Sequence, residues 1–351
     1  MAYYVAFSAN TGSGAPIGEP AVYLRNFSAD AGSNTPIAVP SEYLNTGINL
    51  WCQAVCFTST ADMVAIATQY GVKLWRLVNN TFVATQAEIA GTNVRAATFD
   101  PINSVLGVIY SDGTYLRPRM YPVTPTGFGS LIADPSSPFG SYNAQQIVFS
   151  PKGDVVIIRN YLTNVFNVYR WTSTGFGEAL PAPTGLANGA YNGIAISPDG
   201  TLACIVGDDP PYIHLYDFSA GGFGAKKANP TTPMTVGGTT PVFSGDSKAV
   251  ITNTYDGVTG VAAYAVSSAG FGAKFTSPSI SDSIGAIGLS PFGDKIFAPV
   301  DDGSSATVHI IGWSASGFGA QTTISLAAAN AWGAFASNAR FWDKFVMSYE
   351  Q

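Results

Sequence analysis

Along most of this chain, short apolar or alternating runs are separated by tight polar turns, and the turns come at regular intervals. A Gly-Phe-Gly tripeptide recurs five times, centred on Phe128, Phe176, Phe223, Phe271 and Phe318, at spacings of 48, 47, 48 and 47 residues. Phe82, 46 residues before Phe128, holds the same place in a sixth copy that lacks the glycines. Five residues before each aromatic stands an apolar residue: Leu77, Val123, Trp171, Phe218, Val266 or Trp313. Each of these closes an alternating stretch such as Ile213-His214-Leu215-Tyr216, the period-2 pattern of a half-buried strand.

A second signal runs in phase with the first. Ser197-Pro198-Asp199-Gly200 follows the strand-like YNGIAI and precedes TLACIVG. Related turns stand at Asp100–Asn103, Ser150–Gly153 and Ser290–Gly293, with weaker ones at Thr58–Ala61, Ser244–Ser247 and Ala336–Ala339. Phe57, Phe99, Phe149, Ile196, Phe243, Leu289 and Phe335 lead into them. Pro presets φ and Gly tolerates positive φ, so these offsets predict tight hairpins.

Each unit therefore reads strand, Ser-Pro-x-Gly turn, strand, acidic or glycine turn, strand, Gly-Phe-Gly turn, strand. Four short antiparallel strands per repeat of about 47 residues predict a β-propeller blade. The chain is read as all-β, a seven-bladed propeller of four-stranded antiparallel blades. A solenoid is the alternative architecture, but seven units with a truncated last one favour a closed ring. The seventh unit breaks off at Gln351 without its Gly-Phe-Gly, which would leave an open sheet edge. Residues 7–24 match residues 27–44 at ten of 18 positions, so one or both copies are expected to close the ring with the C-terminal strands. A surplus copy would be an arm free for strand addition to a partner. The expected organisation is an N-terminal arm over 1–46 and a propeller over 47–351, with blades at about 50–92, 93–139, 140–186, 187–234, 235–281, 282–328 and 329–351 plus the N-terminus.

Charge narrows the functions open to such a disc. Charged residues make up 11% of the chain, and the net charge is −6 with 16 Lys and Arg. That is too few cations for a phosphate-binding face, so neither nucleic acid nor a membrane surface is an expected partner. No apolar run is long enough to span a bilayer, and MAYYVAFSANTGSG lacks the features of a signal peptide. Cys52, Cys56 and Cys204 read as small buried hydrophobes, because no second Cys or His pair completes a zinc site.

Candidate chemistry is sparse. His214 and His309, the two histidines, are 95 residues apart and fall at equivalent third-strand places, where other units have Asn167 and Ala262. That variation argues for a tolerant strand face over a catalytic one. Asp112, Asp208, Asp209, Asp256, Asp301 and Asp302 gather at the turns between second and third strands. Asp-Gly is a standard hairpin turn; Asp112, Asp208, Asp256 and Asp301 are also the candidates for a rim that holds a hard cation such as calcium. Gly-Phe-Gly lacks the helix and the Gly-Lys-Ser/Thr of a phosphate loop and reads as a structural turn. Tyr142, Asn143, Tyr191, Asn192, Tyr212 and Trp332 fall in or near blade-joining or cross-rim loops, a composition suited to protein or glycan recognition.

The unit spanning Asn192–Thr232, with its SPDG and GFGAK segments, resembles the degenerate WD-type propeller repeats common in tailed bacteriophages, although the Trp-Asp dipeptide is absent. The resemblance implies a non-catalytic virion component of the tail, fibre or capsid surface, assembled in the host cytoplasm and contacting other virion proteins or a host surface protein or glycan. It implies no catalytic residue and no cofactor. The alternatives are a carbohydrate-binding host-recognition module and a propeller enzyme such as a lactonase or glycan lyase. The enzyme would need convergent Glu, His or Arg, or a metal, at the central channel.

Overall fold

A computed structural model of the chain describes residues 2–8, 20–28, 34–44, 52–58, 62–90, 94–135, 144–160, 166–186, 191–254, 260–280, 284, 286–290, 292–301 and 306–325. They form a seven-bladed β-propeller. Blade one runs through Cys52–Phe57, Met63–Thr68, Gly71–Val78 and Thr81–Ala90. Blade two is Ala96–Phe99, Val105–Ser111, Leu116–Thr124 and Gly127–Phe128, and blade three is Ala144–Phe149, Val155–Asn160, Phe166–Thr172 and Gly175–Leu180. Blade four is Tyr191–Ile196, Leu202–Gly207, Ile213–Ser219 and Gly222–Lys226. Blade five is Pro241–Phe243, Ala249–Asn253, Val261–Ser267 and Gly270–Lys274; blade six is Gly288–Leu289, Lys295–Asp301, Ala306–Ser314 and Gly317–Ser325. Within each sheet, successive strands pair antiparallel.

Burial follows radius. The second strands of blades three and four, VVIIRN and LACIVG, are buried at every position because blades press on both faces. The fourth strand of blade three, GFGEAL, is exposed at three of its six positions. Each repeat signal has a geometric cause. In the Ser-Pro-Asp-Gly turn, Ser197 Oγ accepts from Leu202 N–H at 2.9 Å and donates to Asp199 at 2.6 Å, while Gly200 takes φ +73°. The weaker turn at Ser244–Ser247 keeps the same geometry, with Ser247 itself at φ +60°. At the other turn, the Gly-Phe-Gly phenylalanine pairs across the hairpin with the apolar residue five back, as Trp171 does with Phe176 at 5.0 Å between ring centroids. Leu77 opposes Phe82 in the same way, so the glycine-free copy is a true repeat.

Ring closure draws on the N-terminal segment, as its repeats led one to expect. The N-terminal residues build a sheet of their own, Ala2–Ser8, Val22–Ser28 and Asn34–Ile37. One face packs on blade six, where Phe297 meets Phe27 at 5.2 Å and Phe7 at 6.5 Å. The other packs on blade one, where Ala6, Leu24 and Ile37 meet Val55 and Ile66, and Trp75 Nε1 donates to Tyr43 Oη at 3.0 Å. A strip apolar on both faces is stable only between two others, so it stands in the seventh place. Both 20-residue copies are used there, because Phe7 and Phe27 share one face and Ile37 and Tyr43 are buried. The second copy is thus not a free arm. The expected pairing with residues 329–351 lies outside the described residues.

Candidate functional site

In every blade the first strand starts, and the second ends, at the same end of the propeller axis. Equivalent positions can therefore be compared round the ring. Three residues before the turn-leading apolar residue, and directly opposite on strand two, blade one has Ala54 and Ala67 and blade two Ala96 and Ile109. Blade three has Gln146 and Arg159. Blade five has Thr240 and, by continuation of the register, Asn253. Blade four, between them, has Gly193 and Val206; buried polar side chains are costly unless hydrogen-bonded, so the pairs in blades three and five mark the two blades that flank it.

Each of these groups is held. Gln146 Nε2 donates to Ile194 O at 2.8 Å and its Oε1 accepts from Ile194 N–H at 3.2 Å, which ties blade three to blade four. Arg159, 3% exposed, donates through Nη1 to Tyr191 O. Asn253 Oδ1 accepts from Thr239 and Thr240 N–H at 3.0 and 2.8 Å, and its Nδ2 donates to Thr239 Oγ1 and to Ile284 O. The loop before blade five comes close. A Cβ at Gly193 would lie 1.9 Å from Thr239 O, and one at Gly237 would lie 2.5 Å from Asp208 Oδ1.

Between these held groups sits an exposed carboxylate. Asp208 follows strand two of blade four, faces solvent, and accepts from Asn192 Nδ2 at 2.7 Å. An oriented, water-accessible carboxylate at the mouth of the axis can take a proton from a bound water. Just outward, His214 is 3% exposed and sits edge-on to Tyr191 at 5.7 Å, and neither ring nitrogen has a hydrogen-bond partner. Burial, helped by the Lys226 charge, pushes its pKa down to about 4, so its imidazole is neutral at pH 7.

The residues singled out in the sequence are distributed as follows. Asn192 and Asp208 come together. Tyr191 is 1% exposed, so it is a packing residue between blades and not a rim aromatic. Tyr212 is half-buried against the core of blades four to six, with φ +67°. Asp112 is consumed in its own turn, where Tyr115 N–H and then the Arg117 guanidinium hold its carboxyl down to about 2. Asp112 and Asp208 belong to blades two and four, and Asp301 ends a strand of blade six. Among the described residues no three His, Cys, Asp or Glu side chains gather as metal ligands would. Tyr142, Asn143, Asp256, Asp302 and Trp332 lie outside the described residues. Cys52, Cys56 and Cys204 are buried free thiols whose pKa burial raises. His309 Nδ1 meets Gln321 at 2.7 Å on the equivalent strand of blade six. Gln146, Arg159 and Asn253 were not singled out; comparing their positions with the alanines of other repeats would have found them.

No protein-family model matches the chain, and no curated protein matches it in sequence. Solved structures match its fold almost end to end. A periplasmic gluconolactonase of Pseudomonas aeruginosa superposes with a TM-score of 0.69 at 13% identity, over 94% of this chain and 98% of that one. A Bacteroides uniformis protein described as a 6-phosphogluconolactonase gives 0.71 at 13% identity, over 93% and 97%. One of Bacteroides fragilis, similarly described, gives 0.68 at 11%, over 94% and 96%. At these identities the likeness establishes the propeller fold. Against the expectation of a non-catalytic virion propeller, these end-to-end structural neighbours are named as lactonases. Scarcity of histidine bears on histidine chemistry alone; the polar side chains described on these blades include Asp208, Asn192, Gln146, Arg159, Thr240 and Asn253.

Proposed function

We propose that this chain hydrolyses a sugar lactone at the axial end formed by blades three to five, with Asp208 as general base. The carrying observation is the Asn192–Asp208 pair, an exposed carboxylate fixed by an amide at 2.7 Å. The full-length likeness to propellers named gluconolactonase supports the substrate class. Asp208 takes a proton as water oxygen attacks the lactone carbonyl carbon. When the tetrahedral intermediate collapses, the ring C–O bond breaks and the ring oxygen recovers that proton, leaving the hydroxy acid. Held groups around the carboxylate fix the reacting geometry in advance.

An unphosphorylated lactone fits better than a phosphorylated one. Arg159 is buried on a backbone carbonyl, Lys226 donates to Gly185 O, and the chain carries a net charge of −6, so a phosphate dianion would meet no uncommitted cation among the described residues of this arc. The test is a pH-stat assay with glucono-δ-lactone and its 6-phosphate, using the wild type and Asp208→Asn. Wild-type hydrolysis above the buffer rate, greater for the unphosphorylated substrate and lost in Asp208→Asn, supports the reading.

A further inference from the structure

We infer a second ligand site, for a small sugar carboxylate, on the outer face of blade two where it meets blade one; it rests on the proposed lactone hydrolysis, whose product is such an acid. The third strand of blade two, LRPRMYPVT, places Arg117, Arg119 and Tyr121 on one face by simple alternation. Tyr110 on the neighbouring strand is the cross-strand partner of Arg117 and shares that face. All four side chains are part-exposed. Arg119 lies over the Tyr110 ring at 4.8 Å and its Nη2 donates to Tyr110 Oη; Arg117 lies over Tyr115 at 5.6 Å.

Charge decides what fits. Arg117 is neutralised by Asp112, its ion-pair partner. Asp134 also acts on Arg117, whereas Arg119 makes no ion pair among those found in the described residues, so what the cluster offers an anion is the remaining donors of the Arg119 guanidinium fork. A fork of that shape matches a monoanionic carboxylate, which it can hold with two parallel hydrogen bonds. A phosphate dianion would need a second cation, and a nucleic acid a whole basic face. The hydroxyls of Tyr110 and Tyr121 supply hydrogen-bond partners for a polyol. An acyclic sugar acid such as an aldonate has this combination of one carboxylate and a string of hydroxyls. Asp208 lies two blades further round, so the two sites are separable by mutation.

The test is calorimetric titration of sodium gluconate into the wild type, Arg119→Gln and Asp208→Asn, with lactone hydrolysis by the wild type followed in parallel. Saturable binding that Asp208→Asn retains and Arg119→Gln weakens by about tenfold or more supports the site, since one charge-assisted hydrogen bond is worth about that much. Arg119→Lys keeps the charge without the fork and is expected to restore only part of the affinity. Gluconate binding that Arg119→Gln leaves unchanged, or no binding at all by a wild type that hydrolyses the lactone, overturns the second site and leaves the catalytic reading standing. A wild type that binds gluconate through Arg119 but does not hydrolyse the lactone overturns the catalytic reading alone.

Discussion

The side chain of Gln146 replaces a missing strand partner: both ends of its amide bond the backbone of Ile194 in the next blade, at 2.8 and 3.2 Å. Ile194 is fully buried, so no water can substitute. Gln146→Leu leaves its N–H and C=O unpaired, at about 1–3 kcal/mol each. Urea unfolding is expected to show a loss of roughly 2–6 kcal/mol. A variant as stable as the wild type would mean that the blades hold together without this contact.

Gly193 and Gly245 form an internal comparison. At Gly193 an added Cβ would fall 1.9 Å from Thr239 O, whereas at Gly245 it would meet nothing within 4 Å. Gly193→Ala is expected to cost about 1–3 kcal/mol or more through overpacking and to displace the loop beside Asp208. Gly245→Ala is expected to change stability by less than about 0.5 kcal/mol. Paired thermal melts decide between equal and unequal effects.

Ring closure is testable at Phe297, whose ring is packed by Phe27 and Phe7. Phe297→Ala should destabilise by about 3–5 kcal/mol, the usual cost of removing a buried phenyl. Limited proteolysis should then release the N-terminal sheet first, because it is held in place by packing on both neighbours.

Acid sensitivity follows from His214. Its folded-state pKa of about 4 lies below the ordinary histidine value of 6.5, chiefly because burial disfavours the cation. Between those values the unfolded chain binds the extra proton, so stability is full above pH 6.5 and falls with decreasing pH. The loss should approach roughly 3 kcal/mol near pH 4. Asp112, Asp199 and Asp246, whose pKa values are lowered, add their own losses as pH falls further. His214→Leu isolates the histidine: the difference between wild type and variant should vary with pH across this window. A constant difference would contradict the buried neutral imidazole.

The repeat, the two turn types and the seven-fold count were legible because each depends on local geometry. A left-handed turn residue and a hairpin-facing aromatic leave fixed marks, and even Phe82, without its glycines, kept the register. The seventh place was harder to read. The two 20-residue copies do not coincide with strands, since each begins in the last residues of one strand and continues into the next. Contacts between blades were hidden for a different reason. In a single strand, Gln146 and Arg159 look like solvent-facing alternates, and only the ring places a neighbouring backbone opposite them. Tyr191 misled in the reverse direction: a tyrosine beside a loop suggests a rim, but the adjacent blade covers it.

The most direct test of the catalytic account is the rate of glucono-δ-lactone hydrolysis by the wild type beside Asp208→Asn. The account expects saturable hydrolysis above the buffer rate, and a fall of about 10²- to 10⁴-fold in the variant with no change in melting temperature. A wild type no faster than buffer, or an Asp208→Asn protein as fast as the wild type, would contradict it.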